Sequence, residues 1–231
     1  MNRWLKNRFT RAVRRRLFGS ATLDVLSEIA HRGVAPGDLD ALEVFGGTGE
    51  LHTADYARLV RSLTVWEIDP TAENTLRRNL PGAKIKITDS LHETKVTPEK
   101  YHLVVVDNPL FVSESSLCEH FEFFPAIFRL LADRAVLVLN VIPEASPRFR
   151  AEFPYLFNPY HLLRRGEFYG SADPQKIPIA DMLPTYASFA VQSGFDLTWH
   201  FSKKRGKNID VHFLVLGLQR AATAGRETNG R

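Results

Sequence analysis

The amino-acid sequence predicts an α/β fold of the Rossmann-like, doubly wound type. The predicted sheet has seven strands, mostly parallel, with an antiparallel C-terminal hairpin and helices on both faces. Strand and helix patterns alternate from residue 40 to residue 141, and such alternation favours a parallel sheet covered by helices. Two further strand patterns, 195–202 and 210–218, are separated only by the basic segment 203–208, which is typical of a hairpin.

Residue types at the boundaries support the individual elements. The helix 21–30 follows Ser20, has apolar residues at helical spacing and is followed by the glycines and proline of 33–37. Pro70 favours a helix start, and Gly194 ends the last helix. The run 103–106, Leu-Val-Val-Val, suits a strand buried on both faces. The predicted strands are residues 40–45, 63–68, 84–88, 102–106, 135–141, 195–202 and 210–218. The predicted helices are residues 21–30, 52–62, 71–80, 121–131 and 179–193.

A length of 231 residues suits one domain with additions. We predict a basic amphipathic helix in residues 1–19, a single domain in 20–218 and a disordered tail in 219–231. Residues 143–184 interrupt the strand–helix alternation with many prolines and aromatic residues, a composition that we interpret as a long irregular stretch. We interpret 147–185 as a lid or substrate-recognition insert, and a packed loop without a functional role is the alternative.

The composition favours a cytoplasmic protein. Its single cysteine, Cys118, excludes an intramolecular disulfide and fits a reducing compartment. Because the sequence contains no run of about 18 apolar residues, we expect no membrane-spanning helix. The net charge is +4, and residues 1–19 contribute +7 from seven basic residues and no acid, so the rest of the chain sums to −3.

The N-terminal segment combines its positive charge with an apolar stripe at four-residue spacing, formed by Leu5, Phe9, Val13 and Leu17. Three interpretations remain open. The segment packs on the domain, or it binds an anionic membrane surface or nucleic acid, or it is a cleaved organellar targeting peptide. The second interpretation would place the protein peripherally at a membrane.

A glycine turn follows the first predicted strand, with the sequence Glu-Val-Phe-Gly-Gly-Thr-Gly at 43–49. Gly46, Gly47 and Gly49 allow the backbone to turn sharply and to approach a ligand closely. A dinucleotide-binding fingerprint requires a further glycine at the position of His52. Its absence disfavours a pyrophosphate site, whereas Glu43 at the start of the turn can contact a cationic amine.

Acidic residues follow the next two predicted strands. Glu67, Ile68 and Asp69 end the second strand, and Asp89 and Ser90 follow the third. Open α/β sheets bind ligands at the carboxyl ends of their strands. A carboxylate there can accept hydrogen bonds from ribose hydroxyls or from an exocyclic amine, so the sequence predicts a nucleoside-bearing cofactor.

The fourth predicted strand is followed by Asp107, Asn108, Pro109, Leu110 and Phe111. With this motif and the glycine turn, the chain resembles the class I S-adenosylmethionine-dependent methyltransferases. It is most similar to their amino-methylating branch, whose motif is Asn/Asp/Ser-Pro-Pro-aromatic, although Leu110 replaces the second proline. The order of elements matches over about residues 40–218, and the specific motifs lie in 42–111.

The resemblance implies a set of contacts to S-adenosyl-L-methionine. The methionine part would lie beside the glycine turn, the ribose beside the second strand and the adenine between the second and third strands. The corresponding residues are Glu43, Gly46, Gly47 and Gly49 for the methionine part, Glu67 for the ribose, and Ile68, Asp89 and Ser90 for the adenine.

The resemblance also implies how a target amine would be held. Asn108 and the carbonyl of Pro109 would accept its hydrogen bonds, and Phe111 would stack on a planar target. Such acceptors favour a tetrahedral, nucleophilic nitrogen without a strong base, whereas a hydroxyl target needs a general base. The candidates for that base are His52, His120 and Asp107.

Three functions remain open. The first is methylation of an amino group of a nucleobase in RNA or DNA, in which the basic segment 203–207 would contact phosphates. The second is methylation of a small molecule, sugar, or polysaccharide or glycolipid precursor. The third is a non-catalytic scaffold with the same fold. We expect no metal site, because the sequence has neither a His-Glu-x-x-His pattern nor a cysteine pair.

Overall fold

The computed structural model describes residues 20–50, 52–106, 118–207 and 209–222. The predicted helix 1–19, the motif 107–111 and residues 223–231 of the predicted tail lie outside the described residues. Among the residues described, no helix is long and apolar enough to cross a membrane.

The described residues form a seven-stranded sheet with the strand order β3-β2-β1-β4-β5-β7-β6. Strands β1 to β5 are parallel, and β7 is antiparallel to both β5 and β6. The predicted fold class is thereby confirmed. The strands are β1 Asp40–Glu43, β2 Ser62–Glu67, β3 Lys84–Ile87, β4 Tyr101–Val106, β5 Leu131–Val141, β6 Phe195–Gly206 and β7 Ile209–Arg220.

Helices cover both faces of this sheet. Successive strand residues point to opposite faces, so Leu103 and Val105 belong to one hydrophobic cluster and Val104 and Val106 to another. This explains the continuous apolar run of β4. The helices are α1 Ala21–His31, α2 Thr53–Tyr56, α3 Glu73–Asn79, α4 Ser90–Val96, α5 Glu119–Glu122, α6 Pro147–Glu152, α7 Pro159–Tyr169 and α8 Ile179–Gln192. Helices α1 to α3 pack on one face, and α5 to α8 on the other.

The predicted helix 121–131 is wrong over most of its length. The chain forms the single turn α5, a cis Phe124–Pro125 bond and a 3-10 helix at Ala126–Leu130, and β5 begins at Leu131. A proline in a helix interior lacks the N–H that the ladder needs and clashes with the preceding turn. The predicted helix 52–62 is likewise reduced to Thr53–Tyr56.

Helix α4 has no counterpart among the predicted elements. Its N-cap is Asp89, whose Oδ1 accepts hydrogen bonds from the backbone N–H groups of Leu91 at 2.9 Å and His92 at 3.4 Å. An aspartate before a helix start is a strong capping signal. The signal was present in the sequence, but the residue was interpreted only as a ligand contact.

The insert is mostly helical, which corrects the interpretation of 143–184 as an irregular stretch. Helices α6 and α7 and the 3-10 helix Pro154–Phe157 each begin with a proline at their first position. Ser146 and Asn158 cap α6 and α7 by accepting hydrogen bonds from Phe149 N–H at 3.2 Å and His161 N–H at 2.8 Å. Proline is well suited to the first helical position, so these prolines start helices and do not break them.

The C-terminal hairpin is longer than predicted. Strand β6 continues to Gly206 and β7 begins at Ile209, so the basic segment lies mainly on strands. We call residues 203–212 the hairpin tip. His212 is paired with Val141, the last residue of β5, so the hairpin tip lies at the carboxyl edge of the parallel strands. Strand β7 also extends to Arg220, two residues into the predicted tail, and Arg220 pairs with Asp133 at 2.5 Å.

Candidate functional site

The candidate site lies at the carboxyl edge of the sheet, where β1 and β4 are neighbours. The chain order of the strands reverses at this point, because β2 and β3 lie on one side of β1 whereas β4 and β5 lie on the other. Open α/β sheets usually bind ligands in a crevice outside the carboxyl ends of the strands at such a reversal. The glycine turn, the residues after β2 and the residues after β3 all reach this edge.

The glycine turn is fixed by backbone conformation and by close packing. Gly47 and Gly49 have φ of +51° and +65°, a region that residues with a side chain enter only at a cost. A Cβ on Gly46 would lie 2.3 Å from Cγ1 of Val65, whereas a Cβ on Gly47 would meet nothing within 4 Å. Gly46 thus allows the turn to pack on β2, and the space beside Gly47 is open.

Glu67 connects this turn to the end of β2. Its Oε2 accepts a hydrogen bond from the N–H of Gly47 at 2.6 Å, and its Oε1 accepts one from the N–H of Asp69 at 2.9 Å. A carboxylate has about four lone-pair positions. Glu67 is therefore held in one orientation by two backbone donors and keeps acceptor capacity for a ligand.

Ile68, the next residue, presents an apolar surface beside that carboxylate. The residue is 65% exposed. Asp69 caps the 3-10 helix Pro70–Ala72 through Thr71, whose side-chain and backbone hydrogen bonds lower the pKa of Asp69. Asp69 thus supports the chain locally, while Ile68 is available to a flat apolar group.

Asp89 and Ser90 differ in their environment although they are adjacent. Asp89 is exposed, and its described hydrogen bonds as the cap of α4 involve Oδ1. Ser90 is buried, and its hydroxyl donates to the carbonyl oxygen of Val44. Asp89 therefore has a second oxygen that takes no part in its capping bonds, whereas Ser90 joins α4 to Val44, directly after β1.

Glu43 is fully buried at the end of β1, beneath the glycine turn. Its Oε2 accepts a hydrogen bond from the hydroxyl of Tyr56 in α2 at 2.5 Å. On the opposite side of the turn, Nδ2 of Asn79 in α3 donates to the carbonyl oxygen of Thr48 at 2.8 Å. Tyr56 and Asn79 were not among the residues predicted from the sequence. A tyrosine on the buried side of a predicted helix needs a hydrogen-bond partner, and that requirement was the available signal for Tyr56.

The proposed acceptor residues Asp107, Asn108, Pro109 and Phe111 lie outside the described residues. The described flanks of that segment are Val106 and Cys118, which are both buried. Burial raises the pKa of the Cys118 thiol to about 11, so this cysteine is a packing residue and not a reactive thiolate.

The two candidate histidines lie in different surroundings. His52 Nδ1 is 3.0 Å from Oγ1 of Thr22, and its ring packs edge-on against Phe213. His120 is fully buried, with Nε2 2.8 Å from the hydroxyl of Tyr186. Burial, followed by the charges of His161 and Arg165, lowers the pKa of His120 to about 3, so it is a neutral internal residue at neutral pH.

His120 belongs to a buried polar cluster formed by residues of α5, α7 and α8. Tyr186 also hydrogen-bonds Tyr169, with 2.6 Å between the two hydroxyl oxygens. His161 and Arg165 lie one turn apart on α7, both at most 1% exposed. Arg165 Nη2 donates to the backbone carbonyl oxygen of Ile142, which anchors α7 to the end of β5.

Within the part of the chain that the structure describes, no group of three or more His, Cys, Asp or Glu residues could hold a metal ion. The sequence matches no protein-family model and no curated protein.

The chain is nevertheless similar in structure to several solved proteins. One is a proposed RNA methyltransferase from Pyrococcus horikoshii, 16% identical, with 90% of this chain and 85% of that chain covered and a TM-score of 0.52. Another is the magnesium protoporphyrin IX methyltransferase of Synechocystis with bound S-adenosylhomocysteine, 14% identical, with 95% and 88% covered and a TM-score of 0.53. A third is the N-methyltransferase NodS of Bradyrhizobium japonicum, 14% identical, with 87% and 97% covered and a TM-score of 0.52. The chain thus has the fold of these methyltransferases.

Proposed function

We propose that the protein is an S-adenosylmethionine-dependent methyltransferase that methylates an amino group of a nucleobase in RNA or DNA. One observation carries the cofactor assignment. The Glu67 carboxylate is oriented by the N–H groups of Gly47 and Asp69 and stands beside the exposed Ile68 at the end of β2, which neighbours β1 at the reversal of the strand order. That arrangement is complementary to a ribose joined to a flat, largely apolar base.

Each part of the cofactor has a matching group. The two ribose hydroxyls would donate to Glu67, and the adenine ring would lie on Ile68 with its amine donating to Asp89 Oδ2. The methionine part would follow the turn between Gly47 and Gly49, above the buried Glu43. The fit is supported by the open space beside Gly47, where even a Cβ would contact nothing within 4 Å.

The cofactor supplies an electrophilic methyl group on a sulfonium, so the chain's own task is to orient the acceptor and exclude water. Correct orientation contributes up to about 7–11 kcal/mol in favourable systems. In our proposal Asn108 and the Pro109 carbonyl accept hydrogen bonds from the target amine, and Phe111 stacks on its ring. The helical insert, joined to β5 through Arg165, would cover the crevice from one side.

Isothermal titration calorimetry with S-adenosylmethionine and S-adenosylhomocysteine tests the cofactor assignment. Glu67→Ala should weaken binding by about 1–3 kcal/mol, because the ribose hydroxyls lose their acceptor. Glu73→Ala is the control, since Glu73 lies in α3 and pairs with Arg77 at 2.6 Å. Tight binding that Glu67→Ala leaves unchanged would contradict the assignment of Glu67, and absence of binding to either compound would favour the scaffold hypothesis.

The acceptor residue has its own test. Asn108→Ala should leave S-adenosylhomocysteine affinity nearly unchanged and strongly reduce turnover, because Asn108 is proposed to contact only the target amine. Full turnover by this variant, measured with a labelled methyl donor and a pool of RNA and DNA, would remove Asn108 from the acceptor site.

A further inference from the structure

The carboxyl edge of the sheet is divided by charge. The acidic residues Glu67, Asp69 and Asp89 lie at the ends of β2 and β3. The opposite side of the edge is formed by the hairpin tip, where Lys203, Lys204, Arg205 and Lys207 are accompanied in 203–212 by one acid, Asp210. The ends of β4 and β5, and hence the proposed acceptor position, lie between these two regions.

The basic side chains of the hairpin tip are held near the surface. Lys203 pairs with Asp24 of α1 at 2.8 Å, and these side chains are 47% and 54% exposed. Lys204 pairs with Asp210 at 2.9 Å, and the Arg205 guanidinium lies 4.9 Å from the ring centre of Phe213. An exposed ion pair such as Lys203–Asp24 contributes only about 0–1 kcal/mol, so a phosphate can compete for Lys203 at little cost. Lys204 is itself 42% exposed and has three N–H donors, so it can contact a phosphate without leaving Asp210.

The cations are distributed over both faces of the strand end. Lys203 reaches α1 on one face of the sheet, whereas Lys204 points with Asp210 toward Ser146 on the other. A single small anion would need only one of these positions. Cations that follow a strand end on both sides fit a ligand with charge repeated along its length, as in a polynucleotide backbone.

We propose that the hairpin tip binds the phosphate backbone of a single-stranded polynucleotide whose target base lies at the end of β4. This rests on the proposed function. Three strand spacings separate β4 from β6, about 14 Å, a span that a few nucleotides cover. The target base must be unstacked to reach a crevice at the sheet edge, and a single strand meets that requirement without further cost.

An anionic membrane is the competing ligand for a basic surface. Membrane-surface binding depends on an apolar face that enters the lipid. In the described part of the hairpin tip, the large apolar side chain with substantial exposure is Ile209, at 36%. The hairpin tip therefore has the charge for either ligand but little of the apolar surface that a membrane requires.

The test compares two double variants of the full chain. Lys203→Gln with Lys207→Gln removes charge from the hairpin tip. The control, Lys84→Gln with Lys95→Gln, removes the same charge elsewhere. Lys84 starts β3 at the amino edge and pairs with Glu99 at 2.6 Å, and Lys95 lies in the last turn of α4. Both proteins retain residues 1–19, so any contribution from that segment cancels.

Binding to a labelled single-stranded RNA, and to DNA of the same sequence, would be measured by fluorescence anisotropy over a salt series. The hairpin variant should lower affinity several-fold and reduce the salt slope by roughly 0.7 per lysine, while the control retains the wild-type values. The RNA and DNA arms identify the polynucleotide. The proposal is overturned if both variants lose the same affinity for the polynucleotide, or if neither loses any. It is also overturned if the wild-type protein binds phosphatidylserine vesicles but neither polynucleotide.

S-adenosylhomocysteine affinity and thermal unfolding are measured on the same samples. Unchanged unfolding shows that a loss of RNA binding is not a loss of fold. If S-adenosylhomocysteine fails to bind while the polynucleotide result holds, the proposed methyltransferase function fails and the binding surface remains. If the cofactor product binds and the polynucleotide does not, the hairpin proposal alone fails.

Discussion

Asp210 accepts two hydrogen bonds from Ser146, one from the backbone N–H at 2.8 Å and one from the hydroxyl at 2.6 Å. Ser146 in turn caps α6, the first helix of the insert, and Asp210 also receives a hydrogen bond from Lys204 at 2.9 Å. One carboxylate thus joins the hairpin tip to the insert at the carboxyl edge of the sheet. The two segments that flank the proposed acceptor position are therefore held in a fixed relation.

Replacing Asp210 with alanine should destabilise this junction. Burial alone would raise the pKa of Asp210, but the hydrogen bonds from Ser146 and Lys204 outweigh it and lower the pKa to about 2. We expect Asp210→Ala to reduce the free energy of unfolding by about 1–3 kcal/mol, because Ser146 loses a charged acceptor. Urea unfolding measures this change. Asp196→Ala, at an exposed position at the other end of β6, should have little effect, and equal effects would contradict the role of Asp210.

The sequence predicted those parts of the fold that depend on local pattern. The strand–helix alternation and the apolar run of β4 predicted the sheet, because each of these patterns can be recognised within a short stretch of sequence. The insert was misjudged because its many prolines were interpreted as a mark of irregular chain, although Pro147 and Pro159 each follow a capping residue and begin a helix. Residues joined only by folding, such as Asp210 and Ser146, leave no signal at a fixed sequence spacing.

In the candidate site, too, the sequence indicates some residues, whereas their contacts form only on folding. Glu67 could be selected from its position at the end of a strand, but its hydrogen bond from Gly47 depends on how β1 and β2 pair. Ser90 was selected with Asp89 because the two are adjacent, and only packing distinguishes the buried hydroxyl from the exposed carboxylate. Tyr56 was missed because its partner Glu43 lies in another element.

Alanine at Gly46 and alanine at Gly47 should act by different mechanisms. A Cβ at Gly46 would overlap Val65, which we expect to cost about 1–3 kcal/mol of stability. A Cβ at Gly47 has space but forces a side-chain residue to φ of +51°, at about 1–2 kcal/mol. Val65→Ala, which opens space beside Gly46, should partly rescue the first variant and add independently to the second in chemical unfolding. If Val65→Ala has the same coupling energy with Gly46→Ala as with Gly47→Ala, the packing explanation is contradicted.

Asp89→Asn should separate helix capping from cofactor recognition. Asparagine caps helices about as well as aspartate, so its Oδ1 can keep the bonds to Leu91 and His92. The second carboxylate oxygen is replaced by an NH₂ group, which donates hydrogen bonds and cannot accept one from the adenine amine. We therefore expect unchanged thermal unfolding, with S-adenosylhomocysteine binding weaker by about 1–3 kcal/mol in calorimetry. Asp89→Ala is the comparison and should lose both properties. Unchanged binding in Asp89→Asn would remove Asp89 from the adenine site.

The buried histidines predict an acid-sensitive stability. Burial, followed by the charge of Arg165, lowers the pKa of His161 to about 4, and the pKa of His120 falls to about 3. Both values lie below the usual 6.5, so the unfolded chain binds more protons than the folded one in acid. The contribution of the two neutral histidines to the free energy of unfolding is fully present above pH 6.5. It is lost as the pH falls toward 4, by up to about 1.4 kcal/mol per pH unit for each histidine.

His161→Leu should reduce this slope. Neither ring nitrogen of His161 has a hydrogen-bond partner in the described structure, so an apolar replacement sacrifices no bond there and should change stability at neutral pH by about 1 kcal/mol or less. Unfolding is measured between pH 5 and 6.5, above the range in which carboxyls with lowered pKa values lose most of their contribution. Burial also lowers the pKa of His120 and His212, so the effect of His161 is the difference in slope from a control variant that keeps both of these histidines. Met182→Leu, in the same buried cluster, should keep the full slope because it removes no titrating group. If the free energy of unfolding depends equally on pH in the His161→Leu and Met182→Leu variants, His161 takes up no proton on unfolding in this range.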